Sequence, residues 1–320
     1  MKIVISGAMT IDEIPGLEAI ACEVELVCAP DREDLLATLS GAEVLLGWNF
    51  EARDVPDVWH AADSLRWIHW CGVAVDTVVF PKLAVSDVCL TNARGVFDIV
   101  MAEYVLGYML LEVKQFRHSL ASQAEQRWGT GLTRQLAGTR ATIIGVGSIG
   151  RETARLLQAN GVKVRGVGRS ARSGDPVFGE VVGRDGLSGA VSDADWVIGI
   201  LPLTRDTQGY FDASVFAAMK PEAHFINLGR GQSVDEGALI ACLESGGIAG
   251  AMLDVFVEEP LSSGNPLWSA PNLVISPHMS SYFVGYEKAM AEQFLENLAR
   301  FQAGQPLQQV IDKELGFAAA

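Results

Sequence analysis

Residues 140–150 read RATIIGVGSIG, an apolar run that gives way to glycines at 145, 147 and 150 and then to a helical stretch, RETARLLQAN. The spacing is G-x-G-x-x-G, and each glycine answers a separate steric demand. Gly145 permits a tight turn, Gly147 lets backbone come close to a pyrophosphate, and Gly150 lets the helix pack closely on the strand. Ser148 and Ile149 complete the turn. The helix start offers unpaired N–H groups and a partial positive charge to an anion. A glycine triplet alone is weak evidence. Here a strand precedes it, a helix follows, and the next strand, VKVRGV, comes at the right distance.

The same alternation fills the rest of the chain. KIVIS, VELVC, AEVLLGW, LRWIHW and VCLTN read as strands before Asn92, with REDLLATLSG and PDVWHAA as helices or turns between them. ADWVIGIL, AHFINLG, IAGAMLDVF and LVISPH continue the second series. Such alternation predicts parallel sheets covered on both faces. Residues 97–128 instead repeat apolar positions at steps of three and four without proline, which predicts one long helix or a helix pair. A chain of 320 residues fits about two domains. The expected fold is α/β, with two Rossmann-like doubly wound parallel-sheet domains. The dinucleotide-binding domain, 98–285, is inserted into a substrate domain made of 1–97 and 286–320.

Charge narrows the partners. The net charge of −15 argues against nucleic acid or an anionic membrane held by a general electrostatic field. No apolar window approaches the length of a membrane span, and the short N-terminal run reads as a strand rather than a signal segment. Five cysteines without a CxxC or Cys–His pattern predict small buried hydrophobes, no metal site and a cytoplasmic protein.

In dinucleotide folds a carboxylate at the end of the next strand, about 20 residues on, accepts hydrogen bonds from the adenosine ribose of NAD. That position is Gly168, and the stretch VGRSARSGD has no acid before Asp175. A carboxylate would repel a 2'-phosphate. Arg169 offers one a planar fork of donors, Ser170 a hydroxyl and Arg172 a second charge. The stretch predicts NADP(H) as preferred cofactor, with NAD(H) possible. Arg165 is expected to point away along its strand.

Three later segments bring polar groups to strand ends, where open α/β sheets bind ligands. INLGRGQ supplies Arg230, LDVFVEEPL supplies Asp254 and Glu259, and VISPH supplies His278. An arginine can grip a carboxylate and polarise a neighbouring carbonyl. A histidine held protonated by a carboxylate can deliver a proton to the developing alkoxide. The set suits reduction of a 2-oxo acid. His60, His69, His118 and His224 lack such a frame and read as surface or packed residues, and Glu103 as a buried structural acid.

With these pieces assembled, the chain resembles the D-isomer-specific 2-hydroxyacid dehydrogenase family across nearly its whole length. The resemblance rests on GVAVD, MAEYVLGYML, LAGTRATIIGVGSIG, LPLTRDTQG, INLGRGQSVDEGALI, GGIAGAMLDVFVEEPL, NPLW and SPH. It implies Arg230, Glu259 and His278 as catalytic residues and Asp254 beside the nicotinamide carboxamide. It implies Leu201 and Pro202 lining the cofactor cleft, and the N–H groups around Val73 and Ala74 receiving the substrate carboxylate. It further implies a homodimer joined through the long helical region, with Trp128 reaching toward the partner's site.

The chain departs from the family pattern in three places. Ala74 stands where many relatives carry glycine, and a positive φ there would be strained. MSS follows His278 in place of a small glycine-rich triplet. Tyr282 and Phe283 come next and, with Trp48, fall near the expected mouth. The sequence-level function is an NADPH-preferring reductase of glyoxylate, hydroxypyruvate or a bulkier 2-oxo acid. The alternatives are an NAD-dependent D-2-hydroxyacid or phosphoglycerate dehydrogenase, or a non-catalytic NAD(P)-sensing protein on the same fold. The first of these ranks lower because of the arginine-rich cofactor loop and the lack of a regulatory domain after Gln309. The second ranks lower because partner-binding extensions are missing.

Overall fold

In the computed structural model, which describes residues 1–317, the five apolar runs of the N-terminal segment all become strands. They are β1 (Lys2–Ser6), β2 (Glu25–Ala29), β3 (Val44–Gly47), β4 (Trp67–Trp70) and β5 (Cys89–Asn92). All pair in parallel, in the order β2-β1-β3-β4-β5. Every residue of β3 and β4 is buried, as expected where both faces of a parallel sheet are covered. Helices α1 (Arg32–Thr38), α2 (Val55–Val58) and α3 (Pro81–Ala84) lie between them in the chain. Helix α1 starts at Asp31, whose carboxylate accepts the N–H groups of Glu33 and Asp34, a cap worth about 1 kcal/mol. Val4, Leu45, Ile68, Trp70 and Leu90 belong to the core of this unit.

The chain divides into two compact units, Met1–Phe97 with the chain from Phe283 on, and Asp98–Tyr282. The second unit opens with two helices, α4 (Asp98–Val113) and α5 (Phe116–Ala124). Gln115, at φ 55°, breaks the run between them. Helix α4 buries Met101, Ala102, Val105, Tyr108 and Met109. Glu103 lies off that face and is exposed, which corrects its reading as a buried acid.

The second sheet contains β6 (Arg140–Ile144), β7 (Lys163–Val167), β8 (Arg172–Asp175), β9 (Gly179–Val182), β10 (Trp196–Gly199), β11 (His224–Asn227), β12 (Gly250–Leu253) and β13 (Leu273–Ile275). Helices α6 (Ser148–Ala159), α7 (Leu187–Val191), α8 (Ala213–Ala218) and α9 (Glu236–Glu244) complete this unit. The strand order is β13-β12-β11-β10-β6-β7-β9-β8. The chain reverses its direction of travel across the sheet between β6 and β10, the switch point at which ligands bind in such sheets. Val197, Phe211, Phe225, Leu239 and Leu253 form part of its core.

One pairing departs from a wholly parallel sheet. Strands β8 and β9 form an antiparallel hairpin with a register shift between Ser173 and Asp175, and β9 pairs in parallel with β7. The chain then returns to the first unit as α10 (Tyr286–Gln302), which buries Met290, Ala291, Phe294 and Leu298. Phe294 stacks on Trp67 at a centroid distance of 5.4 Å. Among the described residues, no helix is long and apolar enough to cross a membrane. No group of three or more His, Cys, Asp or Glu side chains among them could hold a metal ion.

Candidate active site

The glycine turn sits at the switch point. Gly145 has φ 110°, and a Cβ on it would lie 2.2 Å from the Ile200 carbonyl oxygen after β10. A Cβ on Gly150 would lie 2.0 Å from the Gly145 oxygen. Gly147 faces open space and is the N-cap of α6, with no side chain capping the helix. Ser148, Ile149 and Gly150 form the first turn of this 12-residue helix. A pyrophosphate fits such an uncapped, open helix start. Across the switch point, Leu201 and Pro202 begin a loop organised by Thr207, whose Oγ1 donates to the Pro202 oxygen (2.6 Å) and accepts from the Thr204 N–H (2.8 Å).

At the far end of β7, a Cβ on Gly168 would meet Val146 and Val181 methyls at 3.1 Å and lie 3.6 Å from Arg172 Nη1. A guanidinium therefore stands beside the position where an NAD-type carboxylate would project. Arg169 and Ser170 are exposed on the same loop. The acid further on, Asp175, cannot serve a ribose. Its side chain is 1% exposed and accepts from Arg151 Nη1 and Nη2 (2.9 and 2.7 Å), Arg172 Nε and Nη2 (3.2 and 3.0 Å), and the N–H groups of Val177 and Phe178. Hydrogen bonds from Arg151 first, and from these other donors, hold its carboxyl far below the usual range despite burial. Sequence reasoning missed Arg151, because its part depends on a hairpin the sequence did not reveal. Arg165 pairs with Asp193 (2.8 Å) and donates to the Ala190 oxygen, in a different network.

Arg230 sits in a turn wedged between neighbouring loops. A Cβ on Gly229 would lie 2.6 Å from the Leu201 oxygen, and one on Gly231 only 1.9 Å from the Phe256 carbonyl carbon. The flanking glycines are therefore dictated by backbone-to-backbone approach. The Arg230 carbonyl accepts from Asn227 Nδ2 and Ser233 Oγ, fixing the turn at the end of β11.

His278 Nδ1 and Glu259 Oε2 are 2.7 Å apart. Glu259 Oε1 accepts the Phe256 N–H at 2.7 Å. An ionised carboxylate only accepts, so Nδ1 carries the proton and donates it, leaving Nε2 as the outward nitrogen. The hydrogen bond to Glu259 raises the imidazole above its ordinary pKa, against desolvation and the Arg230 charge. Burial works to raise Glu259, but the His278 and Phe256 hydrogen bonds bring it below its ordinary value.

The His278 backbone lies in the left-handed region, φ 51°, a conformation uncommon for a side-chain-bearing residue. Its N–H donates to the Asp254 carbonyl at 2.8 Å. The Asp254 carboxylate, fully buried, accepts from Met279 and Ser280 N–H groups and from Ser276 Oγ (2.6 Å). Ser276 gives its proton to Asp254, so its oxygen accepts from the Tyr104 hydroxyl, also 2.6 Å away. Asp254 thus grips the backbone of the histidine loop. Ser276 and Tyr104, neither of which the sequence singled out, stand behind it.

In the first unit, the loop after β4 is tied by Asn92 Nδ2 to the Val73 oxygen at 2.5 Å. Ala74 is not among the side-chain-bearing residues with positive φ, so the strain anticipated for it does not arise. Trp48 and Phe283 are half-buried in that unit, and Phe283 packs on Phe97 at 6.4 Å. Tyr282 and Trp128, in the second unit, are exposed, Trp128 by 96%.

Residues 106–280 match the family model for the D-isomer-specific 2-hydroxyacid dehydrogenase NAD-binding domain. The chain is 33% identical to glyoxylate/hydroxypyruvate reductase A of Serratia proteamaculans over 217 residues, covering 68% of each protein. It is 27% identical to D-3-phosphoglycerate dehydrogenase of Methanocaldococcus jannaschii over 98% of this chain and 59% of that protein. Among solved structures, it is similar to an NADPH-dependent glyoxylate/hydroxypyruvate reductase of Sinorhizobium meliloti in complex with NADP and sulfate. The TM-score is 0.84 at 30% identity, with 99% of both chains covered.

Proposed function

The chain belongs to the D-isomer-specific 2-hydroxyacid dehydrogenase family and is an NAD(P)-dependent 2-oxo acid reductase, and from that premise we propose that it prefers NADPH and reduces glyoxylate, hydroxypyruvate or a bulkier 2-oxo acid to the D-2-hydroxy acid. The observation that carries the cofactor preference is the Arg172 guanidinium beside Gly168, in place of a carboxylate. The NADP complex of the Sinorhizobium relative supports the same reading.

We assign Gly145, Gly147, Ser148, Ile149 and Gly150 to the pyrophosphate, Leu201 and Pro202 to the cleft wall, and Arg169, Ser170 and Arg172 to the 2'-phosphate. Bound NADPH supplies the hydride. Arg230 binds the substrate carboxylate and polarises the carbonyl. His278 Nε2 gives its proton to the carbonyl oxygen, while Glu259 holds Nδ1–H and keeps the ring charged and oriented. Asp254 keeps the histidine loop in its left-handed turn; its side chain is fully buried, so a role beside the carboxamide end of the cofactor rests on the family resemblance alone. Val73 and Ala74 N–H groups are proposed receivers of the substrate carboxylate, on the strength of the GVAVD resemblance. A homodimer built on α4, α5 and the segment after them is supported by exposed Ile99, Phe116, Leu120, Trp128 and Leu132.

Arg169→Asp combined with Arg172→Ala tests the cofactor reading. The NADPH-to-NADH ratio of kcat/KM should fall by about a hundredfold, the loss of two charge-assisted contacts. An unchanged ratio defeats the 2'-phosphate assignment. A phosphoglycerate dehydrogenase reading is favoured by matches such as the 98% coverage of this chain by the Methanocaldococcus protein, and assay with 3-phosphoglycerate and NAD separates the two.

A further inference from the structure

We propose that Asp175 is a cofactor-specificity positioning residue, a buried bracket that holds Arg172 beside Gly168 at a fixed separation from the pyrophosphate turn. The inference rests on the NADPH reading above and deepens it.

Asp175 joins two elements that a single cofactor must span. Arg151 belongs to the early turns of α6, the helix whose start faces the pyrophosphate, and donates to both Asp175 oxygens. Arg172 belongs to β8 and donates to Oδ2 through Nε and Nη2. Those two contacts use one edge of the guanidinium. They leave Nη1, which lies 3.6 Å from the Cβ that Gly168 lacks. The hairpin itself is anchored at the same point, since Val177 and Phe178 donate their N–H groups to Asp175 Oδ1. The Phe178 ring packs within 2.8 Å of where a Gly166 Cβ would sit, and Arg151 lies over that ring at 5.9 Å.

In NADPH the pyrophosphate and the 2'-phosphate hang from the same ribose, so the distance between them varies only within a short range set by a few rotatable bonds. A flexible arginine would lose rotamer freedom on meeting the second phosphate, and a fixed one has already lost it. The carboxylate lowers the net charge of the cluster, which weakens its attraction for a phosphate. That cost is limited because the Asp175 side chain is only 1% exposed among its donors, whereas that of Arg172 is 36% exposed. Removing the acid would therefore release a mobile, solvated cation and impair selection.

The test compares steady-state kinetics with NADPH and NADH, and inhibition by adenosine 2',5'-bisphosphate and 5'-AMP. The proteins are wild type, Asp175→Asn, Arg172→Lys, Arg172→Ala and the Asp175→Asn/Arg172→Ala double variant. Asp175→Asn should lower the NADPH-to-NADH ratio of kcat/KM about tenfold, through KM for NADPH, with matching loss of bisphosphate but not AMP inhibition. In the Arg172→Ala background the same change should add less than about twofold, because the two residues act as one unit. Arg172→Lys keeps the charge but not the two-point contact, so its ratio should also fall; a further variant, Asp175→Glu, keeps the carboxylate on a longer arm, should lower the ratio less than Asp175→Asn, and keeps the question answerable if Asp175→Asn does not fold. Parallel losses with NADPH and NADH, or a wild-type ratio in Asp175→Asn, overturn the proposal. A wild-type enzyme that favours NADH overturns the NADPH reading itself. A wild-type enzyme whose NADPH preference depends on Arg172 but not on Asp175 overturns only this inference.

Discussion

His278 works under opposed influences. Glu259 raises its pKa by accepting from Nδ1, while desolvation and Arg230 push the other way. The net shift is upward, and the proposed proton delivery needs the protonated ring. Activity should therefore be full on the acid side of the raised pKa and fall as pH rises through it. Glu259→Gln removes the raising influence, so the falling limb of kcat against pH should move to lower pH, with roughly tenfold less turnover at about pH 7.5. His278→Ala should lower kcat by about 10²–10⁴ while NADPH still binds; near-normal turnover in that variant would rule out proton delivery from this ring. At this scale the pairing of His278 with Glu259 was legible, since both follow apolar strands and carry chemistry that packing does not need. Asp175 was not, because its partners lie on another helix and on a strand whose sequence gives no strand signal.

Elements position these residues through close approach more than through propensity. The turn between β6 and α6 exists because Gly145 and Gly150 let backbone meet backbone. Gly150→Ala places a methyl 2.0 Å from the Gly145 oxygen and should cost about 1–3 kcal/mol. It should also raise KM for both cofactors together, in contrast to the selective effect expected at Arg172. A melting temperature and KM within error of wild type would contradict the tight-turn account. The parallel strands were readable as apolar runs, and residues 97–128 as helical. The β8–β9 hairpin was not readable, because ARSGDPVFGEVV contains two glycines and a proline and lacks clean alternation. Pairing with the edge of β7 and the Asp175 contacts supply what local sequence does not.

At the scale of the whole molecule, the two α/β units follow from the chain's alternation of strands and helices, while the proposed assembly rests on exposed apolar side chains. Trp128 and Leu132 are more than 90% exposed, apolar side chains of the kind that mark interaction surfaces when they cluster. Light scattering should give twice the 34.3 kDa chain mass, and Trp128→Glu with Leu132→Glu should shift it to the monomer; a wild-type monomer would sink the proposed homodimer. The most direct test of the functional account is a rate panel with glyoxylate, hydroxypyruvate, pyruvate, a branched 2-oxo acid and phenylpyruvate, each with NADPH and with NADH. The account predicts oxidation of NADPH by at least one of these acids, with kcat/KM at least about tenfold above that for NADH. Turnover with none of them, or a preference for NADH throughout, would contradict it.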